Sequence, residues 1–332
     1  MQTCQYNPIW PQNPQDDQLI MEASFQSLVE RSIKALSTIN FVGEYRDREE
    51  TINLRISRLR SLRSIDDVLK SCEYWFFQRR DYFMSQSCFP KWSAASFDGY
   101  ILISVDIGFT NNKDCLFVSH FWRTRSDPDP EGVDLSLFQD DQRGLEWSYI
   151  WVDWTCLPQA PRTYAEDSYF QTMLRRIPSL VQDCGFSWRF PAFEPRAWVL
   201  YEVATFRLNH SFPGKFPDDI QPFLLHVQEM VEKGVTPTLK KYGYRCTNQS
   251  DLQLVTGWLE ILVILFNNVQ GETSHHRASI RQNIMRDLYK PSSVVNYLFH
   301  EVYIDKEVGT ITMDGITHTF NPIPRLPNKR VS

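Results

Sequence analysis

Three short apolar runs, each broken off by polar and aromatic residues, restrict this chain more than any other feature. Ile101-Leu102-Ile103-Ser104-Val105, Cys115-Leu116-Phe117-Val118 and Tyr149-Ile150-Trp151-Val152 are rich in β-branched and aromatic side chains, the pattern of strands buried on both faces. The polar turn Thr110-Asn111-Asn112-Lys113-Asp114 separates the first two. The loop Asp127-Pro128-Asp129-Pro130-Glu131-Gly132, between the last two, cannot be regular structure. After Pro161-Arg162-Thr163 the spacing predicts a helix from Ala165 to about Cys184, with Phe170, Met173, Leu174, Ile177 and Leu180 inward and Pro178 kinking or shortening it. A further short strand follows, then a helix from near Pro195 that covers Trp198, Leu200, Tyr201, Val203, Ala204 and Phe206. This rhythm predicts an α/β fold built on an open parallel sheet with flanking helices.

The flanks read differently. Upstream, helices are expected from Asp16 to Ser37, from about Glu49 to Leu69, and around Val68 to Met84. Downstream, a proline-rich connection (Phe212 to Asp219) leads to helices at about Pro222 to Lys233, Ser250 to Asn267 and Ser274 to Tyr289. Gly309–Met313 and Ile316–Phe320 read as a hairpin around the two-residue turn Asp314-Gly315, and the chain beyond Pro322 reads as unstructured. The expected division is residues 1–95 as an N-terminal helical extension, 96–212 as the α/β core, and 213–332 as a C-terminal helical region with a terminal hairpin; all three can also form one compact unit.

Composition narrows the functional classes. The 332 residues are 42% hydrophobic and 23% charged, which suits one or two globular domains. The net charge of −5 argues against coating nucleic acid by charge alone. Only 13 glycines occur, no two adjacent, which removes the usual glycine-rich phosphate cradles. Seven cysteines without a Cys-x-x-Cys pair give no zinc ribbon or dithiol centre and favour a reducing compartment. The first 17 residues lack a basic start and an apolar run, and Leu252–Phe266 falls short of the ~20 residues of a membrane span. The expectation is a soluble, cytoplasmic protein without membrane contact. One local excess stands out: 11 Lys and Arg against 7 Asp and Glu between Arg31 and Arg80, either a solvated helix face or a docking surface for an anionic partner.

Ligands of open α/β sheets bind at the carboxyl ends of the strands. That directs attention to Ser119-His120-Phe121-Trp122-Arg123, to Asp153-Trp154-Thr155-Cys156, and to the segment before the Trp198 helix. Neighbouring strand residues face opposite ways, so Ser119 and His120 do not make a relay, and His120 reads as a pocket-wall histidine. Cys156 reads as a buried thiol, and Trp151 and Trp154 as core packing ahead of stacking platforms. Asp153 is either a loop-capping carboxylate or a ligand group. His275-His276 diverge in direction and are not metal ligands, and no metal spacing is present.

The order Leu116-Phe117-Val118-Ser119-His120, Ile150-Trp151-Val152-Asp153 and Arg196-Ala197-Trp198-Val199-Leu200-Tyr201-Glu202 resembles the Toll/interleukin-1-receptor (TIR) fold. In particular it resembles a divergent branch marked by the aspartate–proline loop 127–132 and by Asp153-Trp154-Thr155-Cys156-Leu157-Pro158-Gln159. The resemblance covers about residues 113–210 and implies a TIR-like, flavodoxin-like sheet. It also implies one of two roles: an adaptor that assembles through TIR–TIR contacts, or an enzyme that cleaves the nicotinamide–ribose bond of NAD. In the enzymes a helix glutamate contacts the ribose, and Glu202 is the matching position. Breaking an N-glycosidic bond develops positive charge on the sugar, which a carboxylate stabilises. On this reading Trp122, Trp154 and Trp198 stack on the bases, and Arg123 and Arg162 hold the pyrophosphate. Ser119, His120, Asp153 and Gln159 complete the substrate-binding set. NAD is substrate, with no permanently bound cofactor and no metal. The bland alternative for Glu202 is a surface pair with Arg207 or Arg196.

Two other classes remain. Chains of this size and aromatic content also occur in secondary metabolism, including arginine-containing cyclodipeptide synthases that use aminoacyl-tRNA. There the basic Arg31–Arg80 stretch would contact tRNA phosphates, and the acidic stretch with Asp134, Asp140, Asp141 and Glu146 would recognise the arginyl cation. The third is a non-catalytic, self-associating interaction module.

Overall fold

The computed structural model describes residues 14–42, 48–124, 126–190, 193–209, 218–246, 249–269, 271, 273–288, 294–297 and 300–323. The Phe212–Asp219 connection lies almost wholly outside these residues, as does the tail from residue 324. The chain forms two compact units, residues 1–189 and 190–332.

The first unit is built on five strands: β1 (Tyr74–Arg79), β2 (Tyr100–Ser104), β3 (Cys115–His120), β4 (Tyr149–Val152) and β5 (Gly185–Arg189). The three apolar runs of the sequence are β2, β3 and β4, and all six residues of β3 are buried. The sheet order is β2-β1-β4-β3-β5. β3 runs parallel to both β4 and β5, whereas β1 pairs antiparallel with β2 and β4. The sheet is therefore mixed, and the expected all-parallel arrangement holds for three strands only.

The difference originates at β1, where the sequence predicts a helix. Tyr74, Trp75, Phe76 and Phe77 are all fully or almost fully buried. A strand covered on both faces buries four consecutive aromatics together, and aromatic side chains favour strands. Residues 1–95 thus supply a strand to the core sheet. One face of the sheet carries Leu116, Val118, Ile150 and Val152, packed with Phe83, Phe89, Trp147 and Trp154. On the other, Phe117 stacks between Trp151 and Phe186 at 4.9 and 5.0 Å, and Trp75 meets Trp151 edge-on.

Helix α1 (Pro14–Thr38) appears as expected. The second expected helix is two, α2 (Arg48–Ser61) and α3 (Ile65–Ser71), divided where the Ser64 side chain accepts from the Asp67 amide as an N-cap. α4 (Arg80–Ser85) follows β1. The 127–132 loop is irregular, but it opens into an unforeseen helix, α5 (Val133–Asp141), whose Leu135 and Phe138 join the core. One turn, α6 (Asp153–Cys156), follows β4. α7 (Tyr164–Leu174) starts with a Thr163–Glu166 capping box, and α8 (Ile177–Asp183) begins around Pro178. Pro178 thus sits in a first turn, where its missing N–H costs nothing.

The second unit holds α9 (Ala197–Asn209), α10 (Gln221–Lys233), α11 (Val235–Tyr242), α12 (Gln249–Asn268) and α13 (Ser274–Asp287). α11 was not expected; Gly234, at φ 94°, separates it from α10. The terminal hairpin is present as β8 (Thr310–Met313) and β9 (Ile316–Thr319). It belongs to a four-stranded antiparallel sheet in the order β6-β7-β8-β9, with β6 (Val294–Tyr297) and β7 (His300–Asp305). Among the described residues no helix is long and apolar enough to cross a membrane.

Candidate functional site

The parallel strands β3 and β4 end side by side, in register through Val118 and Val152. The next residues along each strand bring His120 and Asp153 together. His120 Nε2 lies 3.1 Å from Asp153 Oδ1 and donates to it, while Nδ1 lies 3.2 Å from the Phe121 carbonyl. The same Oδ1 accepts from the Trp154 amide at 2.6 Å. The imidazole is flanked by Phe89 (5.3 Å between centroids) and Trp122 (6.3 Å), each nearly parallel to it. Its side chain is 1% exposed, that of Asp153 39%. The histidine is therefore a brace, and the carboxylate is the group of the pair that meets solvent.

Trp122 stands at 90° to Trp154 at 5.3 Å. Gln159 donates its amide to the carbonyls of Asp153 and Leu157, which fixes the loop after α6. The Lys91 ammonium sits 5.8 Å above the Trp154 ring and donates to the Ala160 carbonyl. It has no carboxylate partner among the described residues. The Trp92 amide donates to the Trp154 carbonyl. Trp92, Lys91, Gln159, Pro161, Glu166 and Met21 line an open hollow of about 480 Å³ beside this wall, within the size range of small-ligand sites. Lys91 and Phe89 escaped the sequence reading because they lie in an irregular segment after α4 that carries no motif.

His120, Trp122, Asp153, Trp154 and Gln159 thus share one edge. Ser119 is buried within β3. Arg123 is committed elsewhere: Nε and Nη2 donate to Asp134 at 3.0 and 2.7 Å, and Asp129 lies 3.7 Å away. Two of its five N–H groups are thus taken by a buried carboxylate, and a third of its side chain meets solvent. Arg162 donates to the Pro158 carbonyl and lies 3.4 Å over the Phe170 ring. Burial lowers its pKa. Trp198 and Glu202 lie on α9 in the second unit, where Trp198 packs edge-on against Tyr201 and Trp258.

The loop 127–132 has a structural duty. Asp129 Oδ2 accepts from the Leu135 amide and caps the first turn of α5. The acidic stretch is largely neutralised, with Asp134 on Arg123, Asp140 on Arg143 and Asp141 on Arg189. In the basic stretch Arg31 donates to the Phe97 and Tyr100 carbonyls, Arg55 pairs with Glu73 and Asp106, Arg58 with Glu73, and Arg80 caps the Gln142 and Leu145 carbonyls. The Cys156 thiol is fully buried, and burial pushes it up to about 12, so it is inert as a nucleophile. Among the described residues no group of three or more His, Cys, Asp or Glu is arranged to hold a metal. No family model, curated protein or solved structure matches the chain.

Proposed function

We propose that the chain is a TIR-like enzyme that acts on the N-glycosidic bond of NAD or a related nucleotide, with its ligand held at the carboxyl edge of β3 and β4. The observation that carries the reading is the solvent-facing Asp153 carboxylate, braced from behind by His120 and walled by two orthogonal tryptophans. In the order β4-β3-β5 the first strand of the parallel trio lies between the second and third, and ligands of such sheets sit beyond the carboxyl ends of the strands. Trp122 offers a stacking face, and Lys91 supplies a cation for a phosphate.

Cleavage leaves positive charge on the ribose, and a carboxylate beside it lowers that barrier. The resemblance implies Glu202 for this role. The test is nicotinamide release from NAD by the purified full chain. Glu202→Gln should abolish turnover with KM little changed, whereas Asp153→Asn and Trp122→Ala should raise KM about tenfold, the effect of removing ~1.4 kcal/mol of binding. A folded wild type that releases no nicotinamide at high enzyme concentration overturns the reading and leaves a non-catalytic interaction module.

A further inference from the structure

We propose that Asp153, braced by His120, reads the vicinal hydroxyls of a nucleotide ribose and so separates a free 2′-hydroxyl from a 2′-phosphate. The inference deepens the nucleotide reading above and rests on it. In doubly wound dinucleotide-binding folds an acid roughly 20 residues beyond the first strand–helix turn accepts the ribose 2′-hydroxyl. Asp153 ends β4, the second parallel strand, which lies directly beside the first, β3.

The side chain is set for that task. Oδ1 is saturated by the His120 imidazole and the Trp154 amide, so the carboxylate cannot swing. Oδ2 has no partner among the described residues, and 39% of the side chain is exposed. A carboxylate only accepts, and a ribose hydroxyl supplies the O–H donor that the open Oδ2 can take. A 2′-phosphate supplies negative charge in their place.

Tolerating that phosphate needs an arginine nearby, and the arginines around these strand ends are engaged. Arg123 is bound by Asp134, Arg162 by the Pro158 carbonyl and the Phe170 ring, and Arg189 by Asp141. Lys91, the cation on this wall, donates to the Ala160 carbonyl, and repulsion between a 2′-phosphate and Asp153 is an effective way to reject a near-identical ligand.

The experiment titrates the full chain with NAD and with NADP at fixed ionic strength, following the fluorescence of the tryptophans that wall the site. Wild type should bind NAD at least about tenfold more tightly than NADP, a difference of ~1.4 kcal/mol. Asp153→Asn should bring the ratio to within about twofold, and His120→Gln, which frees the carboxylate, should narrow it part of the way. Equal affinities in wild type, or a ratio that survives in Asp153→Asn, would overturn the proposal while leaving the nucleotide reading in place. Binding of neither nucleotide removes both. Should Asp153→Asn fail to fold by circular dichroism, the wild-type ratio and the His120→Gln ratio still decide.

Discussion

Deleting the Arg123 guanidinium would leave Asp129 and Asp134, exposed to 0% and 1% at their side chains, without the cation that now faces them. Removing one partner of a fully buried pair costs ~3–5 kcal/mol. A third of the Arg123 side chain meets solvent, which screens part of the interaction, so Arg123→Ala should cost about 2 kcal/mol. Urea unfolding measures that cost, and Asp134→Asn in the same chain should recover part of it because a neutral amide tolerates the loss of the cation. A phosphate-binding arginine would behave in the opposite way, with unchanged stability and a raised KM for NAD. The residue lies three positions beyond His120, in a segment that looks from sequence like ligand-binding surface. Its real partner is eleven residues onward, and nothing local announces it. His120 and Asp153 were legible as places, since the strand-end rule points to both. Their mutual hydrogen bond was not, because it depends on which strands become neighbours.

The terminal hairpin shows which elements a sequence declares by itself. Its turn residues Asp314 and Gly315 both have positive φ, 49° and 79°, the combination that an Asp-Gly pair adopts most readily in a two-residue hairpin turn. The buried residues Ile311 and Met313 alternate with half-buried ones. Local chemistry therefore decides the turn, and Gly315→Ala, with open space for its Cβ, should cost only the left-handed strain of about 1 kcal/mol. Gly309 has φ 78°, and a Cβ there runs into the Phe320 carbonyl. Gly309→Ala should cost roughly 2–3 kcal/mol, since overpacking against backbone adds to the strain. Chemical denaturation of the two variants should rank them in that order; equal losses would mean that the close approach at Gly309 carries no weight. β1 and α5 are the contrary cases. A run of four aromatics has no period, and its choice of strand is made by β2 and β4, which lie on either side of it. α5 has only Leu135 and Phe138 to mark it, after a loop whose prolines argue against any helix.

At the scale of the molecule, acid should act on the second unit through one cluster. His226 is 8% exposed, and its Nδ1 lies 2.8 Å from the Tyr244 hydroxyl. Its ring stacks on Tyr242 at 3.5 Å and meets the edge of Phe193. Burial lowers its pKa; Glu229 opposes the shift and Lys241 adds to it. A histidine whose folded pKa lies below the ordinary ~6.5 takes up its proton more readily in the unfolded chain, so its contribution is complete above pH ~6.5 and is lost as the pH falls through that value. Glu229 gives the next step. Hydrogen bonds from Lys241, Tyr242 and Lys233 hold its carboxyl down at about 2. That stabilisation is present above its unfolded pKa of ~4.3 and disappears as the pH drops towards 2. Hydrogen exchange, corrected for the intrinsic rate, should therefore show protection of α10 and α11 falling between pH 7.5 and 5.5. β1 and β2, which hold no histidine, should keep theirs. His226→Gln, which can still bond the Tyr244 hydroxyl without titrating, should remove the upper step and leave the lower one. Persistence of the upper step in that variant would assign it to another group and detach His226 from the acid response of this unit.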